Sequence, residues 1–110
     1  MLEIVVYKQD NGRCPYDDWF LRLRDKIAQA RIFTRLRQVR AGNLGDHASV
    51  GEGVLELRVH VGAGYRVYCG RSGSELIVLL CGGDKSSQPK DISRAKEFWR
   101  DWKKDANEKP

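Results

Sequence analysis

The chain has little cysteine, proline or histidine, and no long apolar run. Its three cysteines, Cys14, Cys69 and Cys81, form an odd set without a Cys-x-x-Cys pair, a pattern that fits reduced thiols in a cytosol and not a disulfide or zinc framework. They read as small core or surface side chains. No stretch approaches the roughly 20 apolar residues that cross a bilayer, and the start, Leu2 to Tyr7, turns polar too soon for a signal segment. The expectation is a soluble, cytoplasmic protein that is not exported and engages no membrane. Gly42, Gly45, Gly51 and Gly53 cluster, but no Gly-Lys-Ser/Thr follows them, which excludes a phosphate loop. No Asp, His and Glu set has ligand spacing, so neither metal nor cofactor is expected. Nor does any linker divide the 110 residues, and a single domain spanning 1–110 is expected to bury roughly two thirds of its unfolded surface.

What the chain does have is a basic excess: 20 Lys plus Arg against 15 Asp plus Glu, for a net charge of +5. Residues 13–40 hold eight basic and three acidic side chains, so the whole excess lies in that segment. Such a balance favours an anionic partner.

Glu52 to Lys85 reads as three consecutive antiparallel strands. Leu55, Leu57, Val59 and Val61 alternate with Glu56, Arg58 and His60, the period-2 pattern of a half-buried strand. Gly62-Ala63-Gly64 turns the chain back. A tight turn pairing Val61 with Tyr65 sets His60 opposite Arg66 and Arg58 opposite Tyr68, on one face. Ser72-Gly73 turns again into Leu76–Cys81, an apolar run suited to a central strand, and Gly82-Gly83-Asp84-Lys85 brings a lysine to the cationic face.

Leu2 to Lys8 predicts an edge strand ended by Asn11-Gly12. Pro15, followed by Asp17 and Asp18, opens a helix through Trp19, Phe20 and Leu23. Ala28, Ile32, Leu36 and Val39 predict a second helix closed by Gly42, with Arg31, Arg35 and Arg37 toward solvent, where they either solubilise or track RNA phosphates or an acidic partner. Gly42 to Gly53 reads as a mobile connection in which His47 is a solvated loop residue. Pro89 and Asp91 open a terminal helix to about Lys104, whose stripe Ile92, Ala95, Phe98, Trp99 and Trp102 packs on the sheet or docks a partner. Asp105 to Pro110 reads as a frayed tail. The fold class is α+β: a strand, two helices, a three-strand meander and a C-terminal helix on an antiparallel sheet.

Three strings, Gly53-Val-Leu-Glu-Leu-Arg-Val-His60, Gly62-Ala-Gly-Tyr-Arg-Val-Tyr68 and Leu79-Leu-Cys-Gly-Gly-Asp-Lys-Ser-Ser-Gln88, resemble the RelE/ParE superfamily, most closely its HigB-like "addiction module killer protein" group. The resemblance spans nearly the whole chain. It implies a RelE-like fold and a type II toxin, neutralised by a cognate antitoxin of helix-turn-helix type in a hetero-oligomer. It further implies a metal-independent endoribonuclease that cuts mRNA on the ribosome and inhibits translation. ParE-like relatives imply a different function, a binding protein that poisons DNA gyrase, and a degenerate toxin would only bind its antitoxin.

Arg66 matches the strand arginine of the RelE-like pattern and is the candidate phosphate clamp, a planar donor pair suited to a scissile phosphate. Arg58 supports it from the neighbouring strand. Lys85 is the second cation, with an acid role if desolvated; Tyr68 stacks on a base or orients a proton; His60 is the general acid or base. RelE carries a further arginine after the last strand and a tyrosine on the following helix, whereas this loop offers Lys85, Ser86 and Ser87. The same residues admit a blander arrangement, a solvated strand face with Arg58 and Arg66 neutralised by Glu56 or by a partner's acidic segment.

Overall fold

The computed structural model describes residues 1–108, with side chains through residue 106. Its order is β1 (Glu3–Val6), α1 (Pro15–Arg22), α2 (Lys26–Arg40), β2 (His47–Gly51), β3 (Val54–Val59), β4 (Tyr65–Ser72), β5 (Leu76–Asp84), a 3₁₀ turn (Lys85–Ser87) and α3 (Gln88–Glu108). The class is α+β. One five-stranded sheet, ordered β1-β5-β4-β3-β2, lies between α1 and α2 on one face and α3 on the other.

Local chemistry sets the helix starts. Pro15 stands at the first position of α1, with Asp17 and Asp18 in its first turn, as expected. The break before α2 is fixed by Asp25, whose side chain accepts from the Ala28 amide. Leu57, Val59, Val67, Cys69, Ile77 and Leu79 pack beneath Tyr16, Ile32 and Val39 of the first two helices. On the opposite face Val54, Tyr68, Val78 and Leu80 meet Ala95 and Trp99 of α3, which therefore packs on the sheet. Two tryptophans lie directly on bare backbone. A Cβ at Gly70 would come within 2.2 Å of the Trp99 ring, and one at Gly82 within 2.3 Å of the Trp19 ring, so no larger residue fits at either strand position.

The structure corrects the expected sheet in three ways. It is mixed, because β1 pairs parallel to β5, Glu3 opposite Leu76 through Val6 opposite Leu79; α1 and α2 carry the chain from β1 at one edge to β2 at the other, and β3 and β4 bring it back to β5. The Gly42–Gly53 segment is not all loop. It contains β2, antiparallel to β3, with His47 opposite Leu57, and this turns three meander strands into four. Finally, β3 and β4 pair two residues further from the turn than expected: Arg58 faces Arg66, Glu56 faces Tyr68 and Val59 faces Tyr65. A five-residue loop, His60 to Gly64, replaces the tight turn. A shift of two preserves which face each side chain occupies, so the alternation survives although the partners change. The tail is helical to Glu108, and the last two residues lie outside those described.

Candidate functional site

Glu56 is the hub of the β3–β4 face that meets α3. Its carboxylate is 1% exposed and accepts from Tyr68 Oη at 3.0 Å, Gln88 Nε2 at 2.8 Å and Arg58 Nε at 3.2 Å. Arg66 Nε stands 3.5 Å from the same carboxylate, an ion-pair distance without hydrogen-bond alignment, and is buried with no hydrogen-bond partner. Burial pushes the Glu56 pKa up, but the hydrogen bonds from Gln88, Tyr68 and Arg58 and the charge of Arg66 outweigh it and hold the group below its ordinary value. The result is one ionised carboxylate shared by two guanidinium groups.

Of the five candidate catalytic residues, Arg58 and Arg66 are brought together on one face as expected, with Glu56 between them. Arg66 is largely covered, its side chain 12% exposed and one terminal nitrogen donating to the Gly64 carbonyl at 3.1 Å. Tyr68 departs from expectation. It is fully buried, and burial, followed by the Glu56 charge, pushes its phenol far above the ordinary value. It can neither stack on a base nor shuttle a proton; it is a fixed donor to Glu56. The register shift also removes His60 from the strand. His60 is exposed in the β3–β4 loop and hydrogen-bonds Asp46, which Arg58 also reaches at 3.3 Å. That His60 bond, helped by Arg58 against a smaller effect of burial, holds Asp46 below its ordinary pKa. An ionised carboxylate only accepts, so His60 Nε2 carries a proton toward Asp46, and in the neutral ring Nδ1 is the acceptor. Lys85 is exposed instead of desolvated. Its methylene chain runs beside Gly64, and it shares with His60 an open depression over the loop.

The three helix arginines do not form one surface. Arg31 is exposed and lines a groove with Arg58 and His60, whereas Arg37 lies apart, beside Phe33 and Leu36. Arg35, expected in solvent, is 91% buried. It donates to the backbone carbonyls of Arg58, Leu44 and Asp46. Its spacing explains the correction: three residues after Ile32 and four before Val39, it lies on the buried stripe itself.

The buried thiols of Cys69 and Cys81 are pushed up to about 12 by burial, so neither is a nucleophile near neutral pH. Cys69 and Cys81 are not paired across the sheet, and all three cysteines are free. Among the described residues no three His, Cys, Asp or Glu side chains could together hold a metal ion, and no helix is long and apolar enough to cross a membrane.

An uncharacterized protein of Haemophilus influenzae is 47% identical over 81 residues, covering 74% of this chain and 82% of that protein. The chain belongs to its family. No protein-family model matches the chain. In this chain the site is defined by geometry, and two of its members escape a sequence reading: Asp46 and Gln88, which reach Arg58 and Glu56 from 12 and 32 positions away. Glu56 is legible, two positions before Arg58 on the same strand face. What the set can do chemically is offer a cationic, partly covered wall, Arg58 and Arg66, next to an exposed imidazole held by a carboxylate and an exposed ammonium.

Proposed function

We propose that the protein is the toxin of a type II module, a RelE-like endoribonuclease that cuts mRNA on the ribosome without a metal and is neutralised by a helix-turn-helix antitoxin. The observation that carries this reading is the depression at the β3–β4 loop, where Asp46-held His60 and Lys85 meet, with Arg66 tied to Gly64 behind them. RNA is cleaved at its own 2′-hydroxyl when that group is aligned on the phosphate, a proton is removed and the phosphorane charge is held. His60 Nδ1, in the neutral ring, takes the 2′-hydroxyl proton as O2′ bonds to phosphorus and the P–O5′ bond breaks; the Lys85 ammonium faces the phosphate and gives the leaving 5′-oxygen its proton, and Arg66 and Arg58 supply the field behind them. A site with so few groups for gripping a flexible strand obtains its alignment from the ribosome.

Cutting of mRNA on translating ribosomes is the test. Products should end in a 2′,3′-cyclic phosphate or 3′-phosphate with a 5′-hydroxyl, and His60→Ala or Lys85→Ala should lower turnover about 100-fold or more while ribosome binding holds. A second reading is favoured by the covered Tyr68 and by the neutralisation of Arg58 and Arg66 through Glu56, which suit a non-enzymatic inhibitor of DNA gyrase. Intact mRNA on ribosomes together with blocked supercoiling would overturn the nuclease and leave that reading.

A further inference from the structure

A different cavity, of about 380 Å³, opens where β5 runs past the end of β1. β1 stops at Val6, opposite Leu79, whereas β5 continues to Asp84, and the space beyond is bordered by α1 and by Arg94 of α3 and is open to solvent on one side. Arg13, Arg22 and Arg94 line it, together with Gln9 and the half-buried Trp19, whose ring is seated on Gly82, and the Arg94 guanidinium also lies 5.4 Å from the centre of the Phe98 ring. Asp18 is the carboxylate on this wall, and Arg13 holds it at 2.9 Å. Arg94 stands 3.9 Å from the buried Asp91, and Arg22 makes no ion pair or hydrogen bond among the described residues. The wall is therefore net positive, and Arg22 is left for an incoming anion. Arg13 and Arg22 belong to the 13–40 segment that holds the chain's excess charge and that the proposed cleavage site leaves largely unused.

We infer that this cavity binds a nucleoside monophosphate unit, its phosphate on Arg22 and Arg94 and its base against Trp19. A guanidinium offers phosphate two parallel donors, an indole packs on any base, and an amide such as that of Gln9 reads a base edge. The volume lies within the range of small-molecule sites, ~300–1,000 Å³. A plain anion site would need no indole, and an apolar docking groove would not carry three arginines. The unit is either a free nucleotide or one residue of an RNA strand. Neither source requires the strand to be cut, so the inference stands apart from the proposed activity.

The test is an NMR titration of the tryptophan indole N–H signals, the Trp19 signal being assigned through Trp19→Phe. Adenosine 5′-monophosphate should shift the Trp19 signal saturably and leave those of Trp99 and Trp102 in place. Adenosine alone, inorganic phosphate alone, and the nucleotide with Arg22→Ala or Arg94→Ala should each bind about tenfold more weakly. Arg22 is exposed and makes no ion pair among the described residues, so its variant should retain the dispersed spectrum of the folded protein. A single-stranded hexaadenylate RNA distinguishes the sources: tighter binding than the mononucleotide assigns the cavity to a strand, equal binding to the free nucleotide. An unmoved Trp19 signal, or an Arg22→Ala protein that binds the nucleotide as the wild type does, would overturn the inference.

Discussion

The two faces of the sheet handle a buried guanidinium differently. Under α2, Arg35 is buried and directs its hydrogen bonds to three backbone carbonyls, which ties the 44–46 loop to the end of β3. Under α3, Arg66 and Arg58 lean on a carboxylate that is itself buried and is further held by Tyr68 and Gln88. Carbonyls are neutral, so the hydrogen bonds of Arg35 fix a chain path, and its burial is only partly offset by the nearby Asp46 charge. A shared carboxylate balances two cations and sets how much positive field reaches the surface loop. One face uses arginine as a brace, and the other uses it as part of an electrostatic circuit running Glu56, Arg58, Asp46, His60.

The comparison is best broken at Glu56. Glu56→Ala strands two guanidinium groups and a phenol, and should cost about 3–5 kcal/mol, lowering the melting temperature by on the order of 15 °C. A loss under about 1 kcal/mol in denaturant titrations would mean that water already satisfies the circuit. Next comes Arg35→Ala, for which a loss of about 2–3 kcal/mol is expected, with amide exchange in β2 and the 42–46 loop rising well above that in β4 and β5. Uniform acceleration across the sheet would deny the brace.

The smallest effect is a pH dependence that sharpens the contrast. A carboxylate with a depressed folded pKa contributes stability that is complete above its unfolded value, about 4.3, and is lost as pH falls through the folded value. Tyr68, raised in the fold, contributes stability below about 10 that is lost as pH climbs further. Glu56→Gln should therefore flatten the acid limb of the stability curve, while Arg35→Ala should lower the whole curve without changing its shape. Parallel acid limbs for wild type and Glu56→Gln would remove Glu56 from the account.

Element order and strand faces were readable because they rest on local rules: Pro15 and Asp17 at a helix start, period 2 in β3, and an apolar run for a strand covered on both sides. The edge position of β1 was also legible, its parallel partner was not, since pairing direction depends on the path of the helices between. β2 escaped because Ala48 and Val50 give too short an alternation, and the strand exists through its pairing with β3. Register failed by two residues, since Gly62 and Gly64 suit a tight turn and a longer loop alike. From that one error follow the misplacement of His60 and the missed link from Asp46, whereas the face shared by Arg58 and Arg66 survived it.

The parallel pairing of Glu3–Val6 with Leu76–Leu79 makes the first strand wait for nearly the last. During synthesis at about 5–20 residues per second, β1 emerges early and has no neighbour until β5 follows, several seconds later. Local helices can form meanwhile, but the sheet that seats Glu56 and Arg66 closes late, after a long-range contact whose loop-closure cost falls at the end. A truncated copy ending before Leu76 would lack β5, and with it the strand on which both β1 and β4 pair.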